Sequence, residues 1–270
     1  TVSVGGALAV TTDASSGSID LGDLEVNGTI ALTTHSGGAA TVVNDDGLNF
    51  RRSTVGGALS ATATAGDITN SAGVLTITGA STFTVANTEN ITLGSDNTFS
   101  STVTFVASAG TIASVTINDS NAFDIKPLTT TGGLTVTAGG NITDSGTVTV
   151  GGNLIATTDA NSGVIDLGTL AVDGTIALVT NGSGAATVVN DAGLNFAAST
   201  VGGALSATAT TGNITDSGAL AVTGTTTLVT SANDATIVLD TTTNAFTGAL
   251  TITTNDNSGT DADVTIDGGT

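Results

Sequence analysis

Apolar residues along this chain come as short pairs separated by one small or polar residue, and such pairs recur from end to end. Leu8/Val10, Ile30/Leu32, Leu75/Ile77, Ile91/Leu93, Val103/Phe105, Leu134/Val136, Ile176/Leu178 and Leu250/Ile252 are examples. Alternation of period two gives a strand one buried and one wet face. In the clearest stretch, Gly132 to Gly152, the residues Leu134/Val136, Ile142 and Val148/Val150 point inward while the intervening threonines face water. Gly202 to Val222 repeats this plan, and Gly56 to Ile77 does so with one extra residue. A single coil of this kind cannot bury its own apolar side. Coils stacked at about 4.8 Å bury a continuous column, so the pattern predicts an all-β fold, a parallel β-helix or β-solenoid. Taking the pairs three to a group gives about eleven coils of roughly 20–30 residues, roughly 50 Å in length. Their first strands centre near Leu8, Ile30, Leu59, Phe83, Val103, Leu134, Leu154, Ile176, Leu205, Leu228 and Leu250.

The chain also contains itself. Residues 1 to 71 match the segment beginning at Thr147 at 52 of 71 positions without a gap, and after one deletion a weaker match continues. We read one continuous solenoid, 1–270, in which 1–146 is a first long block and 147–270 a second, incomplete copy. From the repeat texture at both ends we expect a segment of something longer. A string of sandwich domains competes poorly, because such domains need Greek-key strands and usually larger aromatic core residues.

Composition narrows the core and the partners. There is no Trp, Tyr, Met or Cys and there are seven Phe, so Val, Ile, Leu and Ala fill the interior. The 37 glycines, with Pro127 the lone proline, favour short strands joined by turns. A formal charge of −20 with three Lys and Arg leaves nothing to neutralise phosphates or an anionic bilayer. No stretch is long enough to span a membrane as a helix. The expectation is no nucleic-acid partner and no membrane insertion.

From Val201 to Gly224 the texture is Val-Gly-Gly-x-Leu-x-Ala-Thr-Ala, then Gly-Asn-Ile-Thr-Asp-Ser-Gly-x-Leu-x-Val-x-Gly. It resembles the repeat region of large secreted bacterial adhesins of the filamentous-haemagglutinin type and of autotransporter passengers. The resemblance implies a right-handed parallel β-helix, exported to the extracellular surface of a bacterial cell as a stalk or fibre. It carries over no functional residue.

Candidate chemistry is sparse. Adjacent Asp45 and Asp46 have the look of the paired carboxylates of polysaccharide hydrolases, but the internal copy reads Asp191-Ala192, and the lone His35 becomes Asn181. We therefore expect no enzyme and no catalytic residue. Arg51 and Arg52, matched by Ala197 and Ala198, and Lys126 are candidate contacts with a partner. Acidic turns at Asp13 to Asp20, Asp159 to Asp166 and Asn255 to Asp263 could supply oxygens to calcium, with Asp256, Asp261 and Asp263 the best set. Outward Thr-x-Thr pairs raise an ice-binding face, which variable coil lengths would break. Sequons at Asn27, Asn90, Asn118, Asn141, Asn181 and Asn213 are what chance supplies in so Asn- and Thr-rich a chain. The reading that follows is a structural solenoid whose partner is another copy stacked head to tail, or further repeats. The alternative is an adhesin that binds through irregular loops, above all Asn118 to Thr131.

Overall fold

In the computed structural model, residues 1–255, 257 and 262–268 are described. Among them there is no helix, and the strands stack as parallel coils in a β-solenoid of about twelve turns. The chain divides into two compact units, Thr1–Gly132 and Gly133–Thr270.

In the first unit, two parallel ladders alternate along the chain. One runs through Val2–Val4, Ile19–Val26, Ala40–Asn44, Leu59–Ala63, Ser81–Val85 and Val103–Ala107. The other runs through Leu8–Ser15, Thr29–His35, Leu48–Val55, Ile68–Ile77, Ile91–Phe99 and Val115–Asp119. Several of the longer strands bend. Leu48–Val55 pairs Leu48 with Ile68 at its start but Ser53 with Leu75 at its end, so the partner holds two more residues over the same span. A straight strand and the two arms of a bent one thus enclose the core, which is why apolar pairs fall three to a coil.

The second unit repeats the scheme. Leu134–Ala138, Leu154–Asn161, Ile176–Asn181, Leu194–Phe196, Ile214–Asp216, Ile237–Leu239 and Val264–Ile266 form one ladder. Ile165–Val172, Ala186–Asn190, Leu205–Ala209, Thr226–Asn233 and Leu250–Asn255 lie in the other.

About twelve turns agree with the expected count of about eleven, although the expected series of first strands changes ladder. Leu8 and Ile30 belong to one ladder, whereas Leu59, Phe83 and Val103 belong to the facing one. Apolar pairs on different faces look alike in sequence.

Inside, the core is one side chain deep. Leu59, Ala61 and Ala63 continue into Ile68, Leu75 and Ile77, all buried. Phe50 and Phe196 are fully buried at matching places of the two copies. Phe83, Phe105 and Phe123 form a stack with centroids 6.2 and 6.5 Å apart, and Phe99 meets Phe83 edge-on at 6.0 Å. Such pairs add about 0.5–1.5 kcal/mol beyond the area they bury.

Glycine at the corners serves close approach more than unusual backbone angles. Among the described residues, only Gly66, Gly110 and Gly182 are glycines with positive φ. At Gly79, by contrast, a Cβ would come 2.5 Å from the carbonyl carbon of Gly57 and 2.6 Å from Ala58 N in the preceding coil. Corners stack backbone on backbone there. Gly79→Ala is expected to cost about 1–3 kcal/mol by overpacking. Gly6→Ala, with nothing within 4 Å of the added methyl, should stay within about 0.5 kcal/mol. Urea unfolding of the two variants measures the difference.

Candidate functional site

Where a bent strand stacks on one of different contour, some backbone amides lose their ladder partner, and a buried amide without a partner is costly. Buried polar side chains take these orphans. Leu32 N donates to Ser53 Oγ at 3.0 Å, and in the copy Leu178 N donates to Ser199 Oγ at 3.1 Å. Asn44 clamps Val26 by both its backbone groups: Oδ1 accepts from Val26 N at 2.8 Å and Nδ2 donates to Val26 O at 3.2 Å. Asn190 does the same to Val172 at 2.8 and 3.0 Å.

In the first unit such groups form a run through successive coils: Asn70, Asn97 and Asp119, each about 1 % exposed or less. Asn70 Nδ2 donates to Asn97 Oδ1 at 2.6 Å, which also accepts Leu75 N at 2.8 Å. Asn97 Nδ2 donates onward to Leu93 O and Asn118 O. At the next rung, Asp119 stands in register with Asn97. Its Oδ1 accepts from Phe99 N at 3.1 Å and Asn121 N at 3.2 Å, while Asn121 Nδ2 donates to Phe99 O at 2.9 Å. The clamp that one asparagine makes elsewhere is divided here between Asp119 and Asn121.

Asp119 lines a surface cleft of about 440 Å³, walled by Phe99, Val103, Ala122 and Phe123 and rimmed by Ser100, Ser101, Thr102, Asn121 and Asp124. Burial pushes the Asp119 carboxyl above its ordinary value. The two backbone hydrogen bonds oppose this in part, and the nearby Asp96 charge reinforces it. At the rim Lys126 Nζ lies 2.6 Å from Asp124 Oδ2.

The structure disperses the residues that the sequence singled out. Asp45, Asp46 and His35 are exposed, and Asp46 Oδ1 accepts Gly47 N at 2.8 Å as a turn residue does. Arg51 and Arg52 sit exposed on the bend of Leu48–Val55, while Lys126 lies next to the cleft. Of the calcium candidates, Asp256 and Asp261 lie outside the described residues. Asp263 is exposed, and its backbone carbonyl accepts Ile237 N at 3.0 Å. No three carboxylate or imidazole side chains converge among the described residues. Outward Thr41, Ser60, Thr82 and Thr104 do align, but the neighbouring column runs Val43, Thr62, Thr84 and Val106. The threonine lattice is therefore interrupted. Segment Asn118 to Thr131 contains two short strands, Phe123–Ile125 and Leu128–Thr130, so it is more regular than expected. Asp119 carries no motif, and its parity with Val115 and Ile117 is the one sequence signal that places it inward.

Residues 37–106, 112–167 and 183–253 match the family model described as repeats of unknown function (DUF5649). No curated protein and no solved structure matches the chain.

Removing an asparagine clamp strands both Val26 backbone groups, so Asn44→Ala should cost about 1–3 kcal/mol, and Asn190→Ala a similar amount. Asp119→Asn should act in the opposite sense. A folded carboxyl with a raised pKa binds its proton more tightly than the unfolded chain does. Asp119 therefore lowers stability as pH rises from the ordinary Asp range, about 3.9, through the raised value. The variant should exceed the native protein in melting temperature at neutral pH and converge with it in acid. Thermal unfolding across pH 3 to 8, roughly the span over which carboxyls titrate, checks the sign.

Proposed function

We propose that this chain, which belongs to the family of repeats of unknown function (DUF5649), is a mechanical element: a non-enzymatic stalk or fibre segment displayed at the surface of a bacterial cell. The observation that carries the reading is the continuity of the parallel ladders within each unit, with register kept from rung to rung by buried side chains. Hydrogen bonds of such ladders run along the stacking direction, and each rung presents several of them side by side. A pull along that direction loads them together.

The internal copy supports the same reading. Ser53 to Thr64 is identical to Ser199 to Thr210, whereas His35, Asp46 and Arg51 are replaced. Repetition has kept the parts that hold coils together and changed side chains that could do chemistry. The likeness in texture to filamentous-haemagglutinin-type adhesins and autotransporter passengers favours export. A high negative charge suits a long repetitive surface that must stay soluble and repel its neighbours. The partner in this reading is more of the same fold, either further repeats or another copy stacked head to tail. Nucleic acid and membrane lipid are not partners.

Antibodies against the chain should label intact cells without permeabilisation, and negative-stain images of sheared surface material should show thin unbranched fibres or rods that bind them. Labelling only after permeabilisation, or compact isolated particles, sinks the proposal.

A further inference from the structure

We propose that the cleft beside Asp119 is a binding site for a primary ammonium carried on an aliphatic stem, the chemistry of a lysine side chain on another protein. The site does not depend on the mechanical role and goes beyond it.

Three observations carry the proposal. Asp119 is about 1 % exposed and lines the cleft, yet both hydrogen bonds it accepts fall on Oδ1, and Oδ2 has no hydrogen-bond partner among the described residues. At comparable bends Asn44, Asn97 and Asn190 use both ends of their carboxamides. A half-used carboxylate is a departure from that pattern, made possible because Asn121 supplies the missing donor to Phe99 O.

The cleft also selects among cations. A divalent ion such as calcium seeks six to eight oxygens, but the walls Phe99, Val103, Ala122 and Phe123 are apolar. A guanidinium gains its advantage from a two-pronged carboxylate contact, and Oδ1 is already committed to two amides. An ammonium is a compact charge with three donors. It can place one on Oδ2 and others on hydroxyls such as Ser100 and Thr102, leaving the stem against the apolar wall. Asp124 is already engaged by Lys126 at 2.6 Å, so Asp119 provides the open anionic contact. The net charge of −20 draws cations toward the surface and disfavours anionic ligands.

The test titrates Nα-acetyl-lysine methylamide into the isotope-labelled chain and follows the backbone amide resonances of Phe99 and Asn121, which donate to Asp119. The expected result is saturable shifts of both, absent with the Nε-acetylated derivative of the same stem and lost in Asp119→Asn. Asn97 occupies the same register position one coil earlier, so that variant should fold, and its melting curve verifies this. The acetylated comparison reads the same question in the unaltered protein. Equal shifts from the acetylated derivative, undiminished binding by Asp119→Asn, or no shift at the solubility limit overturns the proposal. Saturation of the same amides by calcium chloride in place of the lysine derivative overturns it as well.

Discussion

Everything in this protein follows from stacking coils of unequal contour into shared parallel ladders. A ladder between identical coils satisfies every amide automatically, but a bent strand over a straight one leaves donors without acceptors. An unpaired buried amide costs about 1–3 kcal/mol, enough that a few would erase the stability of an ordinary domain. The side chains that collect these donors are therefore structural necessities in spite of their polarity. Ser53, Asn44 and Asn97 are as much a part of the core as Leu48 or Phe50. Thr34 adds a variation, donating to Gly38 O at 2.6 Å while accepting Gly56 N at 2.9 Å, and Thr180 repeats both bonds in the copy.

The same constraint explains the composition. A core one side chain deep has room for Val, Ile, Leu and Ala, and for Phe where successive rungs offer stacked places. Corners must lie flat on one another so that the ladders on either side stay in contact, and at Gly79 the added Cβ would meet backbone rather than a movable side chain. Positive φ, where it occurs outside glycine, falls on polar residues such as Ser16, Ser36 and Ser162 at turns, and Ser16 N and Ser162 N still donate to His35 O and Asn181 O of the adjacent coil.

How legible this was in the sequence depends on the scale. Period-two alternation names the strands, and the duplication confirms which positions matter. Parity even places Asn44 and Asp119 inward, since each continues an i, i+2 series of buried residues, and Asn97 shares the parity of buried Ile91, Leu93 and Phe99. What alternation does not contain is the identity of the face. Leu59 and Ile30 read alike, yet they lie on different ladders. The bends are equally silent, because a register shift is a relation between two strands and leaves no mark in either alone. The polar residues that serve the bends therefore carry no mark of that role in the sequence, while charges such as Arg51, Arg52 and Asp46 stand out there and are left exposed and apart by the fold.

Asp119 is informative because it breaks a solution the chain uses repeatedly. An asparagine there could clamp Phe99 from both sides, as Asn44 clamps Val26, without carrying charge into a buried place. The carboxylate keeps only the acceptor half and needs Asn121 to restore the other. It is also disfavoured in its ionised form by burial and by Asp96. Packing alone gives no reason to prefer it, since the ladder is satisfied either way and the neutral amide fits the same hydrogen bonds. What the carboxylate adds is one unused oxygen at a cleft with an apolar wall. Where Asn44 and Asn190 turn both polar ends of their side chains toward the chain's own backbone, that oxygen is a contact available to something outside.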